Sequence, residues 1–227
     1  TDEDTDSSIR GIFLTDAAEL RAFRGEPIDR YIEAIAGLPD LEGGTIKLAT
    51  SHWVASRQAY VDGRLDVARE EFLAFGDLFD PNHADAHLEA ARFDILAGEA
   101  SLAKQDLEVA LLGKRKGRLI DADRISRRAG IAALEGRPTE ALAGYRQALT
   151  TYRDLDLAWD EALCAIEMAT VLDPADPEVR AAADAARPIL IRLGAMPFLA
   201  RLDEALARKP TSSAVRTTAE RSEVATG

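Results

Sequence analysis

The chain has a single cysteine, Cys164, in 227 residues, so no internal disulfide can form, and a reducing cytoplasm is the expected setting. No apolar run approaches the roughly 18 residues a membrane span needs, and no basic segment leads into an apolar stretch at the start, so neither a membrane nor an export leader is expected. The first residue is Thr, which reads as a processed product or a piece of a longer chain. Aromatics make up 6 % of residues, and Ala and Leu far outnumber the β-branched types, which favours helices. No apolar–polar alternation is bounded by hairpin turns, so no sheet is expected. Positive charge is scarce: the formal net charge is −12, which repels phosphate backbones and argues against a nucleic-acid partner.

Catalytic signatures are lacking too. No phosphate-cradling G-x-x-x-x-G-K-[ST] exists, and Gly113-Lys114-Arg115-Lys116-Gly117 is only a basic turn. His83 and His87 are four apart, but Ala84 stands where a zinc-protease motif has Glu, and His52 has no sequence neighbour. Cys164 sits among apolar helical residues with no histidine nearby and reads as an inert buried thiol. These absences imply no enzyme activity, no metal and no cofactor.

What is present is one pattern, three times. A glycine ends a helical stretch, an alanine follows five residues on, and a bulky apolar residue four after that. The sets are Gly63, Ala68, Phe72; Gly98, Ala103, Leu107; and Gly136, Ala141, Tyr145, each followed three residues later by Phe75, Ala110 or Ala148. The glycines are 35 and 38 residues apart, close to the period of a two-helix repeat. Each residue type has a packing reason. Gly reaches the positive φ of the turn, Ala lets two helices cross closely, and the bulky residue fills the groove to the next pair.

The organisation follows. Residues 1–8 are acidic and expected to be disordered. A helical hairpin or cap spans 9–44, with Asp16 and Glu19 as a capping box before a short helix to Phe23, and Pro27 opening the next helix. Three repeats occupy 45–154, with Asn82 as an N-cap. A further helical pair and cap occupy 155–208, where Asp156 and Asp176 are expected to cap helices. Residues 209–227 read as a disordered tail. The fold class is all-α, a right-handed solenoid of about five helix hairpins.

These residues resemble the tetratricopeptide repeat. The second helix of each pair keeps the family pattern, whereas the usual aromatic position of the first holds Ala59, Asp94 and Ala132. Residues 157–206, above all Leu193-Gly194-Ala195, Pro197-Phe198-Leu199 and the helix from Leu157 to Asp173, also resemble the repeat tail of large bacterial signalling proteins of actinobacterial type. In those, a nucleotide-cyclase or DNA-binding regulatory domain and a STAND-type ATPase precede the repeats. The resemblance implies a cytoplasmic, non-catalytic regulatory or sensor region whose partner is a protein, a peptide or another domain of a longer parent chain.

Two surfaces are candidates. Tetratricopeptide arrays bind peptides along the inner faces of their first helices, and counting back from the glycines places Trp53, Arg57 and Tyr60, then Asp85, Leu88 and Arg92, then Asp123 and Ser126 there. Arg57 and Arg92 would clamp a peptide carboxylate. Alternatively, Trp53 and Tyr60 pack under the N-terminal hairpin. The second surface is basic: Lys114, Arg115, Lys116, Arg118, Arg124, Arg127 and Arg128 against Asp121 and Asp123 give a local +5. It reads either as a docking patch for an acidic partner or as a solvated linker and helix face. A structural module that self-associates through Ala-rich faces remains a further alternative.

Overall fold

A computed structural model describes residues 2–39, 45–79 and 84–208. All the secondary structure described is helical. The helices are α1 (Asp2–Phe23), α2 (Asp29–Ala36), α3 (Thr45–Val61), α4 (Leu65–Asp77), α5 (Ala84–Ala97), α6 (Ala100–Leu111), α7 (Arg118–Leu134), α8 (Pro138–Asp154), α9 (Ala158–Val171), α10 (Pro177–Leu193) and α11 (Met196–Ala207). Among the described residues none is a strand, and no helix is long and apolar enough to cross a membrane.

The repeated glycines make the turns expected of them. Gly63, Gly98 and Gly136 have φ of +77°, +83° and +76°. The next residue's amide reaches back five positions in each turn: Arg64 to Ala59, Glu99 to Asp94 and Arg137 to Ala132, at 2.8–2.9 Å. A Cβ at these glycines would meet nothing within 4 Å, so the demand is on backbone conformation and not on space. The alanines five residues on, Ala68, Ala103 and Ala141, are fully buried where the second helix crosses the first. Phe72, Leu107 and Tyr145 are buried beside them. At the α7–α8 crossing even Gly144 is needed, since a Cβ there would lie 2.9 Å from that of Ala129.

Several local expectations change. α1 begins at Asp2, so Asp16 and Glu19 lie inside a helix and form no capping box. α2 begins at Asp29, two residues past Pro27. Asp156 caps nothing: the α9 N-cap is Leu157, without a side-chain cap bond, while Asp156 takes φ +56° in a turn closed by Leu157 N–H to Tyr152 O at 2.9 Å. It does for the α8–α9 turn what glycine does in the others, Asp being among the few residues that tolerate this region. Asp176 is a true cap, accepting from Glu178 N at 2.7 Å, with Pro177 in the first turn. Asn82, His83 and the 209–227 tail lie outside the described residues.

Consecutive helices pack on one another, most extensively α3 on α4, α5 on α6, α7 on α8, α4 on α5 and α9 on α10. The first helices of the pairs do more than stack on the next pair. α9 packs on α5 as well as α7, and α11 reaches back to the start of the array. There Phe198 meets Tyr60, and Arg201 donates to Tyr60 O at 2.6 Å across 141 positions of sequence. α1 completes the closure: Phe23 stacks on Trp159 at 4.9 Å and meets Phe198 edge-on at 5.1 Å. The inner faces of α3, α5, α7 and α9 therefore surround an interior instead of lining an open trough.

Candidate functional site

That interior is built on three arginines, one each from α3, α5 and α7. Arg57 on α3, Arg92 on α5 and Arg127 on α7 are spaced by 35 residues and are 7 %, 5 % and 1 % exposed. Each is matched by an inward carboxylate. Arg57 pairs with Glu19 of α1 through Nε at 3.2 Å and with Glu89 through Nη1 at 3.0 Å. Arg92 Nη1 donates to the other oxygen of Glu89 at 2.9 Å. Burial alone would raise the Glu89 carboxyl, but Arg92, Arg57 and Arg127 outweigh it and hold it at about 2. Arg127 Nη1 pairs with Glu167 of α9, which also accepts from Tyr145 Oη at 3.0 Å. Arg57 and Arg92 thus clamp a carboxylate as their sequence setting suggests, but it belongs to the chain itself.

A cavity of about 300 Å³ remains inside this ring. Arg57, Arg92, Arg127, Tyr60 and Leu88 line its depth, and Asp85, Arg115, Leu119, Trp159 and Asp160 its rim. Asp123 faces it and accepts from Tyr152 Oη at 2.6 Å. Burial pushes the Asp160 carboxyl above its ordinary range, with Arg92 opposing and Asp123 adding to the rise. The wall mixes matched ion pairs with aromatic faces, a surface suited to recognising polar groups by orientation.

The sequence-derived inner-face residues therefore divide. Arg57, Tyr60, Leu88, Arg92 and Ser126 are buried inside the closed array, and Asp85 is at the rim, paired with Arg115. Trp53 packs under α1, between Phe72 at 5.3 Å and Phe75 at 4.9 Å, with the Arg57 guanidinium 4.5 Å over its ring. Tyr60 packs against α11 and not under the hairpin.

The basic segment also divides. Arg127 points inward and Arg124 is mostly covered, donating to Ala110 O at 3.3 Å. Arg118 pairs with Asp154 at 3.0 Å and Arg115 with Asp85. Lys114, Arg115, Lys116, Arg118 and Arg128 are exposed, so the patch is smaller than the sequence count of seven. One α-helical step explains the split: neighbours Arg127 and Arg128 lie about 100° apart on α7.

The family models, the curated proteins and the solved structures compared with this chain contain no match to it.

Counting from the glycines missed Arg127 for a definable reason. The α7 position equivalent to Arg57 and Arg92 is Gly130, and the arginine lies three residues, nearly one turn, earlier. Gly130 is forced to be small, since a Cβ would meet Ile95 Cγ2 at 2.7 Å and Tyr145 Oη at 3.0 Å. The 35-residue arginine spacing was the available signal. Glu167 and Asp160 fall outside that period.

His52, His87 and Cys164 have local partners. His52 Nδ1 lies 2.7 Å from Glu71, and His87 Nδ1 2.7 Å from Asp106. Among the described residues no group of three His, Cys, Asp or Glu is placed to hold a metal ion. Burial pushes the Cys164 thiol up to about 12, with Ser126 Oγ 3.6 Å away.

Asp94, at the position where the repeat pattern has an aromatic residue, is 3 % exposed beside Asp106, and both share Arg69 at 3.1 and 2.8 Å. Burial, then the hydrogen bond with Asp106, raises the Asp94 carboxyl to about 7, with Arg69 opposing. The folded state thus holds this proton more tightly than the unfolded chain does. Its stabilising contribution is complete below about pH 4 and lost as pH rises through 7. Asn mimics the protonated form, so Asp94→Asn is expected to gain on wild type by about 1–3 kcal/mol between pH 5.5 and pH 8. Thermal melts at the two pH values check this; an equal difference at both would place the proton elsewhere.

Proposed function

We propose that this chain is a tetratricopeptide-like interaction module, a right-handed solenoid of helix hairpins whose ends close on each other. It acts as the non-catalytic regulatory or sensor region of a larger bacterial signalling ATPase or nucleotide cyclase, and it binds a protein or peptide in the cytoplasm. The observation that carries this reading is the ring of Arg57, Arg92 and Arg127 around a cavity open at the Asp85–Arg115–Leu119–Trp159 rim. The repeat-spaced side chains all serve the inner face, and the rim offers a segment of another chain both charge and apolar contact. Partner binding there shifts the linked catalytic domains between states to the extent that it favours one of them.

The test uses rim residues outside the buried ion pairs. Wild-type chain and Arg115→Glu/Leu119→Asp are compared in capture of partners from a bacterial cytoplasmic lysate, with helicity monitored. A partner held by wild type and lost by the variant at unchanged helicity supports the rim. Equal capture moves the site to Lys114, Lys116 and Arg128 or beyond. A parent enzyme regulated equally with and without this region would sink the regulatory role.

Self-association is a second reading, favoured by an apolar surface at the α1 end. Ile12, Phe13 and Phe79 are 61–69 % exposed, beside an apolar cavity of about 370 Å³ lined by Ile12, Ile46, Trp53 and Phe79. A concentration-independent monomer in light scattering counts against it.

A further inference from the structure

α1 sits on the inner face much as a bound helix would. Its Glu19 carboxylate accepts from Trp53 Nε1 at 3.2 Å and pairs with Arg57 Nε at 3.2 Å. These are two of the three α3 residues that the sequence assigns to peptide recognition, Tyr60 being the third. One turn on, Phe23 enters an aromatic slot between Trp159 and Phe198. Residues four apart share a helix face, so one helix presents both anchors at once. Between and before them Ala18 and Ala22 are buried in a cluster with Ile28, Ile35, Leu38 and Val54, Leu14 packs beside them, and a Cβ on Gly11 would lie 3.4 Å from Ile46. A carboxylate and an aromatic on a close-lying helix is the arrangement of an amphipathic ligand in a groove.

Two observations distinguish α1 from a permanent end cap. Terminal caps of repeat arrays carry a polar outer face. The outer face of α1 instead exposes Ile9, Phe13 and Leu20, at 47–69 %. Removing α1 also strands no charge on α3, because Arg57 keeps Glu89 at 3.0 Å. The Glu19 anchor is itself costly to hold: burial raises its carboxyl, and Arg57 and the Trp53 hydrogen bond only partly offset this.

We propose that α1 is a removable occupant of the inner face, and that the partner it excludes is an amphipathic helix carrying a carboxylate followed four residues later by an aromatic residue. This rests on the interaction reading of the inner face. The partner would take the Trp53–Arg57 site with its carboxylate and the Trp159–Phe198 slot with its ring. A tethered occupant competes at an effective concentration on the order of millimolar, so the intact chain is held closed until α1 is weakened or the partner binds better.

The test uses the full chain and a fluorescent peptide of residues 9–26. The Glu19→Gln/Phe23→Ala chain is expected to bind this peptide at least tenfold more tightly than wild type by fluorescence polarisation. The peptide with the same two substitutions is expected to bind it at least tenfold more weakly. Absence of binding to a folded variant, equal binding by both chains, or equal binding of the substituted peptide would each overturn the idea. Amide exchange on the wild-type chain gives a readout independent of substitution. Residues 9–23 are expected to exchange through an opening that leaves α3 and α9 protected; exchange only together with α3 would make α1 a fixed part of the core and end the proposal. A chain that captures a partner through Arg115 and Leu119 yet never takes up the peptide keeps the interaction reading and loses this one.

Discussion

Replacing Glu167 with Ala is expected to destabilise the protein by about 3–5 kcal/mol, a large share of the roughly 5–15 kcal/mol that holds a domain folded. Glu167 is fully buried on α9, and its loss leaves Arg127, only 1 % exposed, as an unpaired charge in the core. It also removes the acceptor of the buried Tyr145 hydroxyl, which lies 3.0 Å away. Both penalties come from stranding a polar group, so they exceed the net worth of the pair itself. That distinction is testable. Arg127→Met/Glu167→Leu removes both charges and fills similar volume, and it is expected to recover most of the loss. Urea unfolding followed by circular dichroism measures all three chains. A cost under about 1 kcal/mol for the single substitution would mean that water reaches Arg127 and that the closed interior is wrong. A double variant no better than the single would mean that the pair is stabilising in its own right.

The same interior shows which parts of the structure were legible in the sequence. Helix content and the hairpin turns were, because their causes are local. Gly63, Gly98 and Gly136 are needed for a backbone angle, and Ala68, Ala103 and Ala141 for a close crossing, and each acts within one helix pair. The closure was not legible. It depends on Phe23, Tyr60, Trp159 and Phe198, which meet from four helices with no common period. Glu19 misled for a related reason: three residues after Asp16 it has capping-box spacing, but the helix already extends from Asp2, so its carboxylate is free to reach Trp53 and Arg57. The candidate site was half legible. Arg57 and Arg92 were placed on the inner face, whereas Arg127 was counted with the basic segment because charge along a chain does not reveal which side of α7 each residue takes.

Phe198→Ala is expected to cost about 3–4 kcal/mol, and its effect on exchange should be regional before it is global. Phe198 is 1 % exposed, with ring centroids of Phe23 at 5.1 Å, Trp159 at 5.0 Å and Tyr60 at 5.2 Å. Truncation removes both the buried ring and the edge-to-face contacts of its three neighbours. The three neighbours belong to α1, α9 and α3, so the cavity opens where the two ends of the array meet. The polar contacts that α1 and α11 keep around this seam are Arg24 Nε to Leu193 O at 3.2 Å, Glu19 to Trp53 and Arg57 at 3.2 Å, Arg201 to Tyr60 O at 2.6 Å and Arg208 to Ala169 O at 2.6 Å. Amide exchange in α1 and α11 should therefore accelerate more than in α5–α8, whose hairpin contacts the substitution does not touch. Phe198→Leu keeps much of the volume and should restore most of the protection. Uniform acceleration across all helices would show that the seam opens only when everything else does. In that case the closed array is one cooperative unit, and a partner would have to bind at the rim without any rearrangement of its ends.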